Sequence, residues 1–363
     1  MNPYPALIVC GPPHAGKSTL CHALTMALRE AGVAHYLFRA APDGEGNWTS
    51  EAPPEAARAL RKKGPFDQTW LAYAVGAVAS RQLPFIVDMG GRPTLEQENL
   101  LDQCQYAIVL TCDAAQHEEW LERVRRHALH IIADLRSELD AADEVTLQNG
   151  RIEGVIGGLR QDRVSIQQPA LAAVLAQVRE RFTWRDEDVA VYHATHTPWP
   201  AGSVEIIDFD GLLRARGQAQ FHDSDRDAIT ASLADRQPIA LYGRLWSHLV
   251  VALAKKCDVR AVFMADQGWV APTRVRLIEA PRCESESMSL AVQVEPGQRA
   301  TLRVTKLQPY LPYVDTLDAP AVPAGFSLMI DGKLPSWLLA GLATAYAGCA
   351  SLSILDPRNS TTV

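Results

Sequence analysis

No apolar stretch in this chain reaches the roughly 20 residues that a membrane-spanning helix needs. Met1 to Pro5 carry no signal-peptide pattern, and the expectation is a cytoplasmic protein with no membrane partner. Net positive charge is lacking too: Lys+Arg number 35 against 42 Asp+Glu, a formal charge of −7. Binding along a long phosphate backbone needs net basicity, so a protein that coats DNA or RNA is disfavoured, while a local basic pocket for one small anion is not. The cysteines at positions 10, 21, 104, 112, 257, 283 and 349 form no C-x-x-C pair. Scattered in this way they read as reduced packing residues rather than a zinc site or a disulfide framework. What the chain does have is 47% apolar against 21% charged residues, the balance of a folded protein. Its 363 residues are long for one core and suggest two or three domains.

The clearest motif lies near the start. Ala6-Leu7-Ile8-Val9-Cys10 is a buried-strand run, Gly11-Pro12-Pro13-His14-Ala15-Gly16-Lys17-Ser18-Thr19 follows directly, and residues 20–30 read as a helix. This is G-x-x-x-x-G-K-S-T in the strand–loop–helix context that the motif requires. Its glycines let backbone N–H groups wrap a phosphate chain at a helix N-terminus. Gly11, Gly16, Lys17, Ser18 and Thr19 are therefore the candidate ATP-binding residues, with Lys17 on the terminal phosphates and Ser18 on Mg²⁺.

A second strand over 34–39 empties into Pro42-Asp43-Gly44-Glu45-Gly46-Asn47-Trp48. Ligands of open α/β sheets sit at the carboxyl ends of strands, so Asp43 and Glu45 are candidates for a general base or a Mg²⁺ partner, against the plain turn that Pro-Asp-Gly also signals. Asn47 and Trp48 are candidates for nucleobase or sugar contact. A third strand over 84–89 ends in Asp88 and then Gly90-Gly91; Asp88 is the second metal candidate beside Ser18. Arg123, Arg125 and Arg126 lie on one helix, where a phosphate clamp competes with a solvated face, the reading favoured here. This half resembles the P-loop kinases and small ATPases, and the placement of its Asp43 loop is similar to the catalytic-aspartate loop of nucleoside and adenylylsulfate kinases.

Two stretches of the other half repeat one another about 90 residues apart. Gly243-Arg244-Leu245-Trp246-Ser247-His248-Leu249 aligns without a gap on Gly332-Lys333-Leu334-Pro335-Ser336-Trp337-Leu338 and continues to Ala254 and Ala343. Each copy reads strand, Gly-basic turn, helix, strand. Two copies in one chain can build the pseudo-twofold site that other proteins make by dimerising. The second copy ends in Leu355-Asp356-Pro357-Arg358.

Taken together, the segment from about 290 onwards is similar to the small ring nucleases of type III CRISPR systems, in the form fused to a P-loop ATPase domain. The resemblance implies binding and cleavage of cyclic oligoadenylate, tetra-adenylate first, with Mn²⁺ as an alternative metal for the cleavage. The family's Asp and Arg carry over onto Asp356 and Arg358, its turn residues onto Gly332 and Lys333, with Ser336 beside them and Gly243 and Arg244 as counterparts in the first copy. Its helix histidine carries over onto nothing: Thr344 stands there, and Lys255 in the first copy. His248 is a weak substitute.

The expected architecture is a doubly wound α/β P-loop domain over 1–195, then two ring-nuclease-like α+β repeats over 203–286 and 287–363, the first degenerate. The linker-like 195–202 stretch marks the boundary. The expected function is an accessory protein of type III CRISPR immunity that binds and degrades cyclic oligoadenylate and binds ATP·Mg²⁺, with Asp356, Arg358 and Asp43 as catalytic residues, acting as a homo-oligomer. Two alternatives stand beside it: a catalytically dead sensor that gates a kinase or ATPase, and a metabolic small-molecule kinase.

Overall fold

The computed structural model describes residues 2–41, 67–159, 168–218, 221–233, 238–308 and 310–355. The chain divides into two compact units, Met1–Val189 with Ala265–Gln267, and Ala190–Met264 with Gly268–Val363. The division falls a few residues before the expected boundary at 195. Among the described residues no helix is long and apolar enough to cross a membrane.

The first unit is built on strands β1 (Ala6–Cys10), β2 (Tyr36–Ala40), β3 (Phe85–Met89), β4 (Tyr106–Thr111), β5 (His130–Glu138), β6 (Glu144–Gln148) and β7 (Arg151–Gly157). They form one sheet in the order β2-β3-β1-β4-β5-β7-β6, parallel except for β6, which is antiparallel to β7. The central strands are apolar throughout, as β1 and β3 are buried along their whole length, which a parallel sheet covered on both faces demands. Helix α1 (Lys17–Glu30) and helix α2 (Gln68–Ala79) follow β1 and β2, and a 3₁₀ helix (Gln97–Gln103) follows β3. Helix α3 (Ala114–Arg126) follows β4, and helix α4 (Pro169–Arg181) follows β7. The connection out of β1 runs to one side of the sheet and those out of β3 and β4 run to the other, so right-handed crossovers put α1 and the 3₁₀ helix on opposite faces. The loop between β1 and α1 lies at this switch point, where α/β sheets bind ligands.

The polar stretch after β5 is a hairpin. Asp143 holds it in place, accepting from Gly157 N at 2.7 Å and from Ala170 N in the first turn of α4 at 2.8 Å. Arg81, buried, ties the sheet's other end together by donating to Tyr4 O (2.6 Å), Val78 O (2.6 Å) and Gln105 Oε1 (3.0 Å). Burial lowers its pKa.

Helix α5 (Asp186–Thr195) comes next in the chain, and helices α6 (Phe209–Arg216) and α7 (Asp223–Leu233) follow β8 (Glu205–Asp208). In the second unit, β8, β9 (Ile239–Tyr242), β10 (Val259–Met264) and β11 (Gly268–Val270) form a sheet in the order β11-β10-β9-β8. A five-stranded sheet follows the order β13 (Arg282–Glu284), β14 (Met288–Glu295), β15 (Arg299–Lys306), β17 (Ser327–Asp331), β18 (Ser351–Ile354). Between them β12 (Arg274–Ile278) and β16 (Thr316–Pro320) pair in parallel. Both halves of the sequence repeat are βαβ units with parallel strands: β9, helix α8 (Ser247–Lys256), β10; and β17, helix α9 (Ser336–Ala345), β18. β13 pairs with β14, so residues 282–284 join the second sheet, whereas the sequence reading ran the first repeat to 286.

One core runs through both halves of this unit, with Leu249, Val250 and Leu253 of α8 and Trp337, Leu338 and Leu342 of α9 in it. Gly341 lets α9 approach the chain before β12: a Cβ there would sit 2.2 Å from the Thr273 carbonyl oxygen.

Candidate functional site

The β1–α1 loop is shaped for an anion by its backbone. Gly11 takes φ +143° and Gly16 φ +88°, and His14 also lies in the left-handed region at φ 65°. Such reversals turn successive N–H groups towards one side. Gly11 has no alternative, because a Cβ there would fall 1.8 Å from the Leu110 carbonyl oxygen on β4. Beneath the loop, a Cβ on Gly16 would meet Leu159 Cδ1 at 2.9 Å.

Lys17 opens α1 and is only 7% exposed. Its ammonium folds back to donate to Pro12 O at 2.6 Å. Burial pulls its pKa below the ordinary lysine value, and the charge of Asp88 opposes that shift. Ser18 donates its hydroxyl to Asp88 Oδ2 at 2.7 Å. Asp88 is itself 5% exposed, carried to this point by β3, whose Asp88 is in register with Val9 of β1 and Arg39 of β2. A hydroxyl and a carboxylate in contact beside a lysine supply oxygen ligands of the kind Mg²⁺ takes. The two metal candidates and the lysine therefore come together; Thr19 lies in the first turn of α1 behind them.

Three neighbours escaped the sequence reading. Arg39, at the carboxyl end of β2, sets its Nε 3.7 Å from Asp88 Oδ2. Only the sheet order, which sets β2 beside β3, brings it there. Gly91 lies against the phosphate loop so closely that a Cβ would fall 2.3 Å from Pro13 N. Arg92, exposed, comes next on that loop. No local pattern announces the last two, since the contact joins segments far apart in sequence.

The arginines of α3 are not aimed at this site. Arg123 donates to Glu98 at 2.7 Å and Glu119 at 3.0 Å and lies over the Trp120 ring at 4.5 Å. Arg126 reaches Glu98 at 3.2 Å, and Arg125 reaches Glu118 at 2.9 Å. Arg123 and Arg126 neutralise the buried Glu98 and brace the 3₁₀ helix, and Arg125 pairs within its own helix, so the phosphate-clamp alternative falls to an ordinary structural role. Asp43, Glu45, Asn47 and Trp48 lie outside the described residues.

In the second unit Gly243 (φ +89°) and Gly332 (φ +153°) occupy equivalent turns at the carboxyl ends of β9 and β17. Arg244 is held by Asp210, which accepts from its backbone N at 2.9 Å and its Nε at 2.5 Å; Gly243 leaves room for that carboxylate, which a Cβ would meet at 2.6 Å. Burial raises the pKa of the adjacent Asp208. Lys333 is exposed and Ser336 half-buried at the start of α9. Leu355 N donates to Ile330 O at 2.9 Å, so the chain leaves β18 beside the Gly332 turn; Asp356 and Arg358 lie outside the described residues.

Helices α8 and α9 pack along each other, and each also packs against the last strand of the other copy, α8 on β18 and α9 on β10. Their carboxyl ends meet, where the Thr344 hydroxyl donates to Ala254 O at 3.2 Å and Lys255 Nζ donates to Cys349 O at 2.8 Å. Helices aligned with their ends together run parallel, so both Gly-basic turns lie at the other end. Thr344 is eight residues beyond Ser336, about 12 Å along the helix axis. It therefore serves helix packing, away from the turn. His248 is half-buried with its ring 5.4 Å from that of Trp246. Of the cysteines, 10, 21, 104, 283 and 349 are buried, but Cys112 is exposed. Burial pushes the Cys10 thiol up to about 12.

No family model matches the chain, and no curated protein matches it. Among solved structures it is similar to apo McdA from Cyanthece, at 12% identity over 50% of this chain and 83% of that one, with a TM-score of 0.28. It is also similar to an unliganded sugar kinase from Janibacter sp. HTCC2649, at 14% identity over 51% of this chain and 98% of that one, with a TM-score of 0.23. Scores this low leave the chain's own geometry to decide.

Proposed function

We propose that the first unit binds ATP with Mg²⁺ and is an ATPase or kinase. The observation that carries this reading is the Ser18–Asp88 contact of 2.7 Å beside the buried Lys17, inside a loop whose backbone turns its donors one way. When bound, Mg²⁺ would be held by Ser18 and Asp88 and would neutralise charge developing on the terminal phosphates. Lys17 would exchange the Pro12 carbonyl for a phosphate oxygen, and the loop's N–H groups would orient the chain of phosphates. Isothermal titration tests it: the wild type should bind ATP·Mg²⁺ and Lys17→Ala should not, with its fold intact. Unchanged affinity in that variant sinks the assignment.

A second reading concerns the other unit. The ring-nuclease resemblance and the reciprocal packing of two equivalent βαβ copies favour a site for a cyclic oligoadenylate, whose repeated phosphates suit two equivalent turns. Gly332, Lys333 and Ser336 would contact it from one copy and Gly243 and Arg244 from the other, and the resemblance adds Asp356 and Arg358. The placement of Thr344 in the helix contact favours the sensor that gates the P-loop unit over the nuclease. The full chain mixed with labelled cyclic tetra-adenylate and ATP separates them. Binding without ring cleavage, with altered ATP turnover, supports the sensor; ring cleavage restores the nuclease; neither binding nor coupling leaves the small-molecule kinase.

A further inference from the structure

Arg39 stands where a cation acts on the metal side of the first unit's site. Parallel pairing puts it in register with Asp88, and its Nε lies 3.7 Å from Asp88 Oδ2, the oxygen that accepts the Ser18 hydroxyl at 2.7 Å. The sheet order β2-β3-β1 sets it on the far side of Asp88 from the phosphate loop. Its side chain is only 12% exposed, so the charge is held in place and little screened by salt. Cys21 on α1 feels the same group of charges: burial and Asp88 raise its thiol pKa, and Lys17 and Arg39 lower it. Arg39, Asp88, Lys17 and Ser18 thus share the α1 face of the sheet.

A fixed cation 3.7 Å from a metal carboxylate acts in two directions by Coulomb's law. It repels a divalent cation that arrives alone, and it attracts the anion that a metal brings with it. In a G-x-x-x-x-G-K-S loop the backbone N–H groups cradle the inner phosphates, while the lysine and the metal take the outer end of the chain. Arg39, beside the metal carboxylate and away from the loop, lies towards that outer end. Its guanidinium is permanently charged and offers a planar fork of donors that suits phosphate oxygens. We propose that Arg39 reads the terminal phosphate, so that the first unit holds a nucleoside triphosphate with its metal more tightly than the diphosphate. This rests on the ATP·Mg²⁺ reading and names a residue that sets its specificity. The competing role is a brace that only keeps Asp88 in place. A brace serves both nucleotides alike, because both bring a metal to Asp88, whereas a contact to the terminal phosphate serves the triphosphate alone.

Isothermal titration of the full chain with ATP·Mg²⁺ and with ADP·Mg²⁺ separates the two roles through the ratio of the affinities. The wild type should prefer ATP by about tenfold or more. Arg39→Met keeps an unbranched stem and removes the charge. It should weaken ATP by about tenfold or more, which is about 1.4 kcal/mol, and ADP by less than about threefold; the retained ADP affinity shows that the variant folds. Arg39→Lys keeps the charge without the fork and should recover part of the preference. Should methionine unfold the unit, a lysine variant with ATP weakened more than ADP carries the same result. Equal weakening of both nucleotides in either variant makes Arg39 a brace and overturns the proposal, as does an unchanged ATP affinity in Arg39→Met. A wild type that binds both nucleotides equally also overturns it while the parent reading stands. A wild type that binds neither overturns the parent reading and the proposal with it.

Discussion

Replacing Asp88 by Asn tests the site through stability and ligand linkage together. The carboxylate is 5% exposed and faces two cations, Arg39 at 3.7 Å and the buried Lys17, whose pKa it supports. An amide retains an oxygen that can accept from Ser18, so that hydrogen bond survives. What is lost is the charge between two cations in a dry site. Breaking a buried ion pair costs about 3 to 5 kcal/mol, and the spacing to Arg39 exceeds a direct hydrogen bond, so a loss of about 2 to 3 kcal/mol is expected. For a unit of this size each kcal/mol moves the melting temperature by about 2 to 4 °C, a fall of about 4 to 12 °C. Scanning calorimetry without nucleotide reads it. The second half of the test adds ATP·Mg²⁺: at about 100 times its dissociation constant, ligand stabilises the wild type by about 2.7 kcal/mol, and the variant should gain much less because its metal ligand is gone. A variant that loses under about 1 kcal/mol and gains as much as the wild type from ATP·Mg²⁺ would refute the electrostatic account and the metal assignment at once.

Lys17→Met should change the pH dependence of stability. The folded-state pKa of Lys17 lies below its ordinary value of 10.5, so between the two values the unfolded chain binds more protons and stability rises with pH; urea midpoints at pH 8 and 10 should show the wild type gaining on the variant as pH rises, and parallel midpoints would count against it. His14 at φ 65° predicts that His14→Val costs about 1 to 2 kcal/mol through left-handed strain, while His14→Gly stays close to the wild type; equal urea midpoints for the two variants would remove the strain argument. Gly341→Ala brings a Cβ to 2.2 Å from the Thr273 oxygen, and the overpacking should cost about 1 to 3 kcal/mol, read as an earlier unfolding transition of the second unit; an unchanged transition contradicts the close packing.

The candidate site of the first unit was legible because its residues are local. Strand, glycine loop, lysine and helix are consecutive, and Asp88 ends an apolar strand, so pattern alone located the loop, the lysine and both metal candidates. Arg39 and Gly91 were not legible, because each matters through a neighbour that the sheet order brings to it; only the adjacency of β2, β3 and β1 sets Arg39 beside Asp88 and Gly91 on Pro13. The same distinction separates the readings of α3. Three arginines on a helix near a phosphate site suggest a clamp, but the glutamate that claims two of them, Glu98, lies on a different element. A charge count along one helix cannot register that.

In the second unit the βαβ repeats were visible from the Gly-basic turn and the apolar spacing, whereas the pairing of β13 with β14 was not. The fate of position 344 shows what the repeat conceals. Thr344 and Lys255 are equivalent in sequence, and both reach across to backbone carbonyls of the other copy. The threonine hydroxyl does this at Ala254, in the last turn of α8, where carbonyls lack helical partners, and the lysine ammonium does it at Cys349, four residues beyond the end of α9. Those donors stabilise the pairing of the copies, and the cationic turns lie about 12 Å away at the opposite helix ends. One end of the helix pair is thus committed to holding the copies together, and the equivalent turns lie at the other end.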